Sequence, residues 1–470
     1  MKKTIRVFAG LAAISALATA PLSCSSKHRS VNSDNEQNSS QVQTDIPATS
    51  EAAVKDMNIT WLADYALAPA DNGSIPPALA LFQDSFGGSV SYVLAEPGKK
   101  LDKLTNMINA GETVDMLPYD TGDLPEGVLK GLYAPLDPYY NYLEMNKSGL
   151  WDGMKPTIDR LAYNGQHYVI PYSVSDPQIL TYSRKLIKDN ELDDPYKLYT
   201  EGKWTWDTFM DIMEKFVEKA PAGTKRYGIN GWFGQSALLS TGHTVVKSEG
   251  GRLVNNISDP SLEKAEKLMQ DIVQKGLYRT GWRDYYPTDL STLFFASADY
   301  TLGASNAKNG DADLMAVPFP KSPDADGYYG VSAFNAKMLA ANSSHGEAVA
   351  TYIMCERYAA TDKKLAEAAK KSATAVKKTG NSIDKSYVTE EQYDALMSYT
   401  DPSKVVPAFD FGCGMGGKMY SPGDYNYDSM GVIDKLERTF LDYPDRAESW
   451  EALRDGLSAI IDAEAGRFNK

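Results

Sequence analysis

Apolar and amphipathic stretches alternate over the first third of the chain. Alternating patterns predict β-strands in MNITWLADY and SVSYVLA, and a third strand is predicted in VDMLPYD. Between these strands, IPPALALFQDSF predicts a short helix, and KKLDKLTNMINAG carries one helical apolar stripe that ends at Gly111. Strands that alternate with helices in this way indicate a largely parallel sheet. The N-terminal part is therefore predicted to be an α/β lobe.

Helical periodicity dominates the second half of the chain. The segments HYVIPYSV and QILTYSRKLI have extended or mixed patterns, and helices are predicted over 262–275, 344–357, 363–377, 430–441 and 447–465. A further helix is predicted in GKWTWDTFMDIMEKF, where Thr205 is a suitable N-cap and Asp207 lies in the first turn. Trp204 and Phe209 have the spacing of a hydrophobic staple. This tryptophan pair therefore favours a packed helix start over a stacking surface for a ligand.

The first 24 residues have the pattern of an export signal. A basic start precedes the apolar residues 7–18, and the tetrapeptide PLSC ends at Cys24. The apolar run is too short for a bilayer-spanning helix, which needs about 20 residues. PLSC resembles the lipobox of bacterial lipoproteins, so the prediction is a signal peptide at 1–23, lipidation of Cys24 and a polar, disordered tether at 24–55. The alternative is cleavage at Ala20, which would give a soluble periplasmic or secreted protein.

Length and charge limit the classes of function. A chain of 470 residues suits two or three domains. Its 62 acidic and 48 basic residues give a net charge of −14, which repels a phosphate backbone, so no nucleic-acid partner is predicted. The four histidines lack the spacing of a zinc site, and neither a metal nor another cofactor is predicted. The pairing of Cys355 with Cys413 is left open.

The order of segments resembles the family 1 extracellular solute-binding proteins of ABC importers, the group that includes maltose-binding protein. The resemblance rests on five segments: KLTNMINAGETVDMLPYDTGDLPEGVLKGLYAPLDPYY, YNGQHYVIPYSVSDPQILTYSRKLI, KWTWDTF, YGINGWFG, and ADLMAVPFPKSPDADGYYGVSAFNAKMLAANSSHGEAVATYIM. The second segment departs from the family pattern at Tyr182, Ser183, Arg184 and Lys185, which weakens any transfer of ligand identity.

The resemblance implies a two-lobe, periplasmic-binding-protein-like α/β fold of type II. The N-lobe is expected at 57–169 plus 288–330, and the C-lobe at 170–287 plus 331–470. Hinge segments would join the lobes, and a solute would lie in the cleft between them, at the carboxyl ends of the strands. The protein would be a monomer that performs no chemistry and delivers its solute to the transmembrane subunits of an ABC permease.

Candidate ligand contacts follow from the chemistry of sugars, which present apolar faces to aromatic rings and hydroxyls to polar side chains. The candidates lie after predicted strands, near the lobe crossing, or where relatives stack a sugar from the C-lobe; they are Trp61, Asp64, Tyr119, Asp120, Asp123, Tyr172, Asp176, Trp232 and Gln235. Structural alternatives are a core position for Trp61, a helix N-cap for Asp123, and hinge packing for Tyr172 and Asp176. The role of the glycine-rich segment 409–428 is left open.

The sequence thus predicts a lipid-anchored solute-binding protein that captures a sugar or oligosaccharide. Within the binding class, the alternative solutes are a polyol phosphate, a peptide or a polyamine. A second class is an anchored glycoside hydrolase, since 62 acidic residues allow many pairs of carboxylates.

Overall fold

The computed structural model describes residues 56–67, 75–281, 283–310, 312–379, 382–384, 387–446 and 449–470. The predicted signal peptide, the predicted lipidation site Cys24 and the predicted tether lie outside these ranges. None of the helices in the described ranges combines the length and the apolar character that crossing a bilayer requires.

The described residues form eighteen strands and fifteen α-helices. The strands are β1 Asn58–Ala63, β2 Ser89–Leu94, β3 Met116–Pro118, β4 Tyr133–Ala134, β5 Ser173–Ser175, β6 Gln178–Ser183, β7 Tyr227–Gly231, β8 Val246–Glu249, β9 Arg252–Asn255, β10 Tyr278–Arg279, β11 Thr292–Ala298, β12 Leu314–Pro318, β13 Tyr328–Gly330, β14 Ala333–Asn335, β15 Lys337–Ala340, β16 Lys377–Thr379, β17 Ser382–Asp384 and β18 Val405–Pro407. The helices are α1 Pro77–Phe86, α2 Lys100–Ala110, α3 Glu126–Leu129, α4 Lys155–Arg160, α5 Arg184–Asp189, α6 Pro195–Thr200, α7 Trp206–Glu218, α8 Gly234–Leu239, α9 Pro260–Gln274, α10 Thr301–Asn309, α11 Gly346–Thr361, α12 Lys363–Ala373, α13 Glu390–Tyr399, α14 Val432–Asp442 and α15 Trp450–Phe468.

Two five-stranded sheets define two lobes. The first sheet has the order β2-β1-β3-β15-β4, and β1 is parallel to both β2 and β3. The second sheet has the order β10-β7-β11-β6-β12, in which β10 and β11 are parallel to β7 and β6 is antiparallel to its neighbours. The predicted fold class, α/β with two lobes, is confirmed.

The lobes are joined by a short antiparallel ladder. Strand β5 leads from the first lobe to β6 of the second, and β14 leads back to β15 of the first. These two crossings pair at three positions, Ser175 with Ala333, Val174 with Phe334, and Ser173 with Asn335. A third connection runs through α12, which contacts α11 on one side and α13 on the other.

The predicted boundaries of the lobes are wrong after residue 287. The segment 288–330, expected in the N-lobe, contributes β11 and β12 to the second sheet, where both strands pair with β6. The chain returns to the first lobe only at β14, so β15 lies in the first sheet beside β3 and α11 packs against α1. Strands β11 and β12 pair with the two edges of β6. The chain therefore completes the second sheet before it returns to the first lobe.

The predicted start of α7 is confirmed. Thr205 is the N-cap, and its side chain accepts a hydrogen bond from the Thr208 amide. The rings of Trp204 and Phe209 lie edge to face with centroids 5.6 Å apart, which is the contact of a hydrophobic staple. Both Trp204 and Trp206 are buried, so this pair offers no surface to a ligand.

Two apolar cores fill the lobes. One core lies within the first lobe around Trp61, Trp151 and Tyr352. The other fills the second lobe and continues to Leu62 and Leu117 of the first sheet. The base of the first lobe therefore shares its packing with the second lobe.

Glu266 on α9 is a fully buried acid of the second lobe, and Glu437 on α14 lies near it. Neither oxygen of the Glu266 carboxyl has a hydrogen-bond partner among the described residues. Burial raises the pKa of Glu266 well above its ordinary value, and the nearby Glu437 raises it further. The folded state therefore binds a proton at Glu266 that the unfolded chain releases above about pH 4.3.

We expect Glu266→Gln to stabilise the protein at pH 8 and to have little effect near pH 4. The stability that protonated Glu266 contributes is complete below the pKa of this carboxyl in the unfolded chain, and it is lost as the pH rises toward the raised pKa of the folded state. Glutamine has no proton to lose, so this pH-dependent loss disappears. Thermal unfolding at both pH values measures the difference. Glu263→Gln, an exposed acid on the same helix, is the control. An equal shift in melting temperature at both pH values would contradict the expectation.

Candidate functional site

The first wall of the candidate site lies at the carboxyl ends of β1 and β3. Asp64 follows β1 and is exposed, whereas Asp120 follows β3 with a half-exposed carboxylate. Burial raises the pKa of Tyr65 to about 12, and the charged groups acting on it include Lys337 and Asp120. The hydroxyl of Tyr172 lies 3.0 Å from the Lys337 ammonium. The structure therefore brings three candidates, Asp64, Asp120 and Tyr172, to one edge of the first lobe.

The structure corrects the assignment of Trp61. Its side chain is fully buried in the first core, and its indole N–H donates to the Tyr65 carbonyl at 2.8 Å. The Lys337 ammonium lies over its ring, 5.1 Å from the centroid. Trp61, which lies within β1, therefore supports the wall from behind and presents no face to a solute.

Asp123 is also a structural residue. It is fully buried, accepts from the Lys100 ammonium at 2.8 Å and from the Tyr133 hydroxyl at 2.6 Å, and closes the turn that Asp120 caps. A carboxylate held by so many donors is a fixed part of the lobe, and its removal would leave the Lys100 charge buried without its partner. The alternative of a helix N-cap at Asp123 is close but not correct, because Asp120 is the N-cap and Asp123 is the N3 residue of the same capping box.

The segment 409–415 covers the end of β3. Its turn Phe411–Gly414 packs on the turn Thr121–Asp123 of the first lobe. Tyr119 lies beneath it: burial raises the pKa of Tyr119 well above its ordinary value, with Asp123 and Cys413 among the causes. The Tyr119 hydroxyl has no hydrogen-bond partner in the described part of the chain. Tyr119 therefore lies under a contact between the lobes, away from the open edge.

Glycine permits this contact between the lobes. A Cβ on Gly414 would overlap the carbonyl oxygen of Leu124 and lie 2.7 Å from that of Thr121. Asp410 fixes the other end of the turn, because its carboxylate accepts from the amides of Val245 at 2.6 Å and Gly412 at 2.8 Å. The part of the open segment around Asp410 and Gly414 is thus a further contact between the lobes, in addition to the crossing strands and α12.

The second wall lies at the carboxyl ends of β7 and β11. Trp232 follows β7, its side chain is 54% exposed, and its amide donates to the Ala296 carbonyl of β11. Asp299 and Tyr300 follow β11, and Tyr300 is 69% exposed. Asp176, directly after the crossing strand β5, lies at the same edge, because the Asp299 amide donates to the Pro177 carbonyl at 3.2 Å.

Polar groups with unusual environments lie on this second wall. Burial raises the pKa of Asp299 to about 7, and the charge of Asp176 raises it further. Burial also raises the pKa of Asp176, whose hydrogen bond from the Ser175 hydroxyl acts in the opposite direction. The Gln178 side-chain oxygen accepts from the Ser236 hydroxyl at 2.6 Å, which fixes the amide beside these acids. The wall therefore combines exposed rings with carboxyls and an oriented amide.

Gln235 does not join Trp232 on the wall. Its side-chain amide lies 3.9 Å from the Cys413 sulfur and lines a small internal cavity with Asp410 and Glu437. Cys413 and Cys355 are both free thiols, so they form no disulfide. The structure thus removes Gln235 from the predicted contact with a solute in this conformation.

Sequence reasoning missed Asp299, Tyr300 and Gln178. The signal for the first two is their position directly after the apolar strand TLFFASA, but this strand was assigned to the other lobe. Gln178 begins β6, which is antiparallel to β11. The amino end of β6 therefore lies beside the carboxyl ends of β7 and β11, where a search after strand ends does not look. Among the described residues, no group of three or more His, Cys, Asp and Glu side chains could hold a metal ion.

We expect Gly414→Ala to reduce the free energy of unfolding by about 1–3 kcal/mol, since the added methyl group forces the bridge away from Leu124. Urea unfolding measures the loss. Gly417→Ala is the matched control, because a Cβ there meets no atom within 4 Å. Equal stability of the two variants would show that the segment does not press on the first lobe.

Comparison with known proteins agrees with this geometry. Residues 78–375, more than half of the chain, match the family of bacterial extracellular solute-binding proteins. A binding protein of Brucella abortus (strain 2308) is 25% identical over 253 residues, which cover 49% of this chain and only 56% of that relative.

Solved structures share the fold at low sequence identity. A sugar transporter from Rhizobium etli in an open conformation has a TM-score of 0.60 and 13% identity, and the match covers 86% of this chain and 99% of that one. A sugar-binding protein from Xanthomonas citri has a TM-score of 0.56 and 14% identity, covering 87% and 98%. The fold is therefore that of two-lobed periplasmic solute-binding proteins, and the chain belongs to the family of bacterial extracellular solute-binding proteins.

Proposed function

We propose that this protein is the solute-binding component of an ABC importer and captures a sugar or oligosaccharide between its lobes. Closure of the lobes around the solute would present the loaded form to the transmembrane subunits of the permease. The protein would act as a monomer of the family 1 type and would perform no chemistry on its solute. The candidate contacts are Asp64, Asp120, Tyr172, Asp176 and Trp232, joined by Asp299 and Tyr300.

One observation carries the proposal: the exposed indole of Trp232 lies beside polar groups at the carboxyl edge of the second sheet. A sugar ring has an apolar face that stacks on an aromatic ring and a rim of hydroxyls that bonds to carboxylates and amides. Asp176, Asp299 and Gln178 supply such groups within the same edge. Open α/β sheets bind ligands at this edge.

The hinge supports a role in capture. Tyr172 and Asp176 flank β5, whose three residues span about 10 Å at the usual rise of a strand. Tyr172 therefore lies on the side of the first wall and Asp176 on the side of the second wall, at the base of the cleft. The structural relatives from Rhizobium etli and Xanthomonas citri are described as sugar proteins, which favours a sugar here as well.

Export with a lipid anchor completes the proposal. Membership in an extracellular family agrees with the export signal in the sequence. Lipidation of Cys24 would attach the protein to the outer face of the membrane, and residues 24–55 would act as its tether. Mass spectrometry of the protein from membranes would detect a diacylglyceryl group on Cys24; a mature N-terminus at Pro21 would contradict the anchor.

We expect a panel of mono- and oligosaccharides to include at least one that raises the melting temperature in a saturable way, because a ligand that binds only the folded state stabilises it. Polyamines and peptides in the same panel test the alternative solutes. Chromatography of the incubated saccharide should show no released products. Product release would favour the glycoside hydrolase, and the absence of any response to a saccharide would contradict the sugar proposal.

We expect Trp232→Ala to weaken binding of the responding saccharide by about tenfold or more, the equivalent of 1.4 kcal/mol. Its side chain is half exposed, so the melting temperature without solute should change little. Tyr92→Ala, which removes a partly exposed ring from β2, is the control for loss of an aromatic surface. Unchanged affinity in Trp232→Ala would remove this residue from the site.

A further inference from the structure

The two carboxyls of the second wall, Asp176 and Asp299, lie close together. The Asp299 amide donates to the carbonyl of Pro177, the residue that follows Asp176. In the sheet, Ala298 pairs with Gln178. Asp299 directly follows Ala298, and Asp176 lies two residues before Gln178, so both acids lie at the same edge of the sheet. Each of these carboxyls raises the electrostatic cost of ionising the other.

No basic side chain of the described residues balances this pair. The groups that act on the two carboxyls are the Ser175 hydroxyl and backbone amides at Asp299 and Tyr300. The second wall therefore keeps an excess of negative charge.

The cations of the first wall already have partners. The Lys100 ammonium lies 2.8 Å from Asp123 and also contacts Asp120. The Lys337 ammonium lies 3.6 Å from Glu356 and stands over the rings of Trp61 and Tyr172. Neither lysine is placed to neutralise the acids across the cleft, because both are held within the first lobe.

Aromatic rings flank the acidic pair. Trp232 is tied to β11 through the Ala296 carbonyl, two residues before the strand ends, and Tyr300 directly follows Asp299. Both rings are more than half exposed. A protonated amine is attracted both to the face of an aromatic ring and to a carboxylate, and the attraction grows as water is excluded.

Hydrogen bonds inside the lobe explain only part of this arrangement. Backbone amides at Asp299 and Tyr300 lower the pKa of the Asp299 carboxyl, but no side chain caps helix α10. Asp176 has a hydrogen bond from the neighbouring Ser175 hydroxyl. Helix capping therefore does not account for the pair of acids.

We propose that the solute carries a protonated amine, which lies between the carboxylates of Asp176 and Asp299 and beside Trp232. The inference rests on the proposed function, because it names the charge of the solute that occupies the same cleft. The chemical class is an amino sugar within an oligosaccharide. A polyol phosphate is disfavoured, since its negative charge would face two acids.

Matched saccharides test the charge directly on the unaltered protein. Chitotriose carries three amines, and its fully N-acetylated form has the same backbone without the charges. An ammonium between the two carboxyls lowers the pKa of Asp299 again, so this group ionises when the amine binds. Calorimetric titration at pH 6.5 should therefore show chitotriose binding about tenfold or more tightly, as expected for a charge partner in a partly buried site. Binding of the acetylated or another neutral saccharide with equal or higher affinity would overturn the inference and leave the proposed function standing.

Two variants locate the amine. Asp176→Asn and Asp299→Asn should each weaken chitotriose binding by about tenfold and bring its affinity close to that of the acetylated form. Glu263→Gln, which removes one exposed negative charge from α9, should leave the affinity unchanged. Equal losses in all three variants would show a general effect of net charge and would overturn the site.

Spermidine distinguishes the source of the amine. Binding of spermidine without binding of any saccharide would support the amine and contradict the sugar proposal. Failure of chitotriose, its acetylated form, other saccharides and spermidine to bind would contradict both. Binding of chitotriose with loss in both aspartate variants would support both.

Discussion

The structure depends on the antiparallel pairing of two crossing strands, β5 and β14. Three residue pairs hold this ladder, and the Tyr172 amide extends it by donating to the Asn335 carbonyl at 2.9 Å. Because one strand leaves the first sheet where the other returns, the ladder fixes the distance between the lobes at their base. The carboxyl ends of both sheets, where open α/β sheets bind ligands, then lie on either side of this ladder.

Local patterns in the sequence predicted many of the elements and the α/β character of the N-terminal part, whereas the two-lobe fold was implied by the resemblance to a known family. Helix α7 shows why: the cap at Thr205 and the apolar stripe after it are contacts between residues close in the chain. The strands and helices of residues 58–118 follow their periodicity in the same way. For the site, position after a strand placed Asp64 and Asp120 at the edge of the first sheet. Asp176 was predicted from the lobe crossing and Trp232 from the resemblance to the family, and the contact of all four with a solute remains a prediction.

The remaining features depend on contacts between distant segments, which no local pattern contains. The strand TLFFASA is equally suited to either sheet, and its pairing with Gln178–Ser183 decides the lobe. Trp61 lies within β1 and is buried beneath the Lys337 ammonium, whereas Trp232 lies directly after β7 and is exposed. Gln235 and Tyr119 are lost to the wall through the bridge that Gly414 makes possible.

The central claim is that a solute lies between the two walls and contacts Trp232 and Asp299. A crystal structure with the saccharide that gives the largest thermal shift tests it most directly. We predict density for the saccharide between the lobes, with one ring against the Trp232 indole and a polar group within hydrogen-bond distance of the Asp299 carboxylate. Density bound elsewhere, with the cleft filled only by water, would contradict the claim.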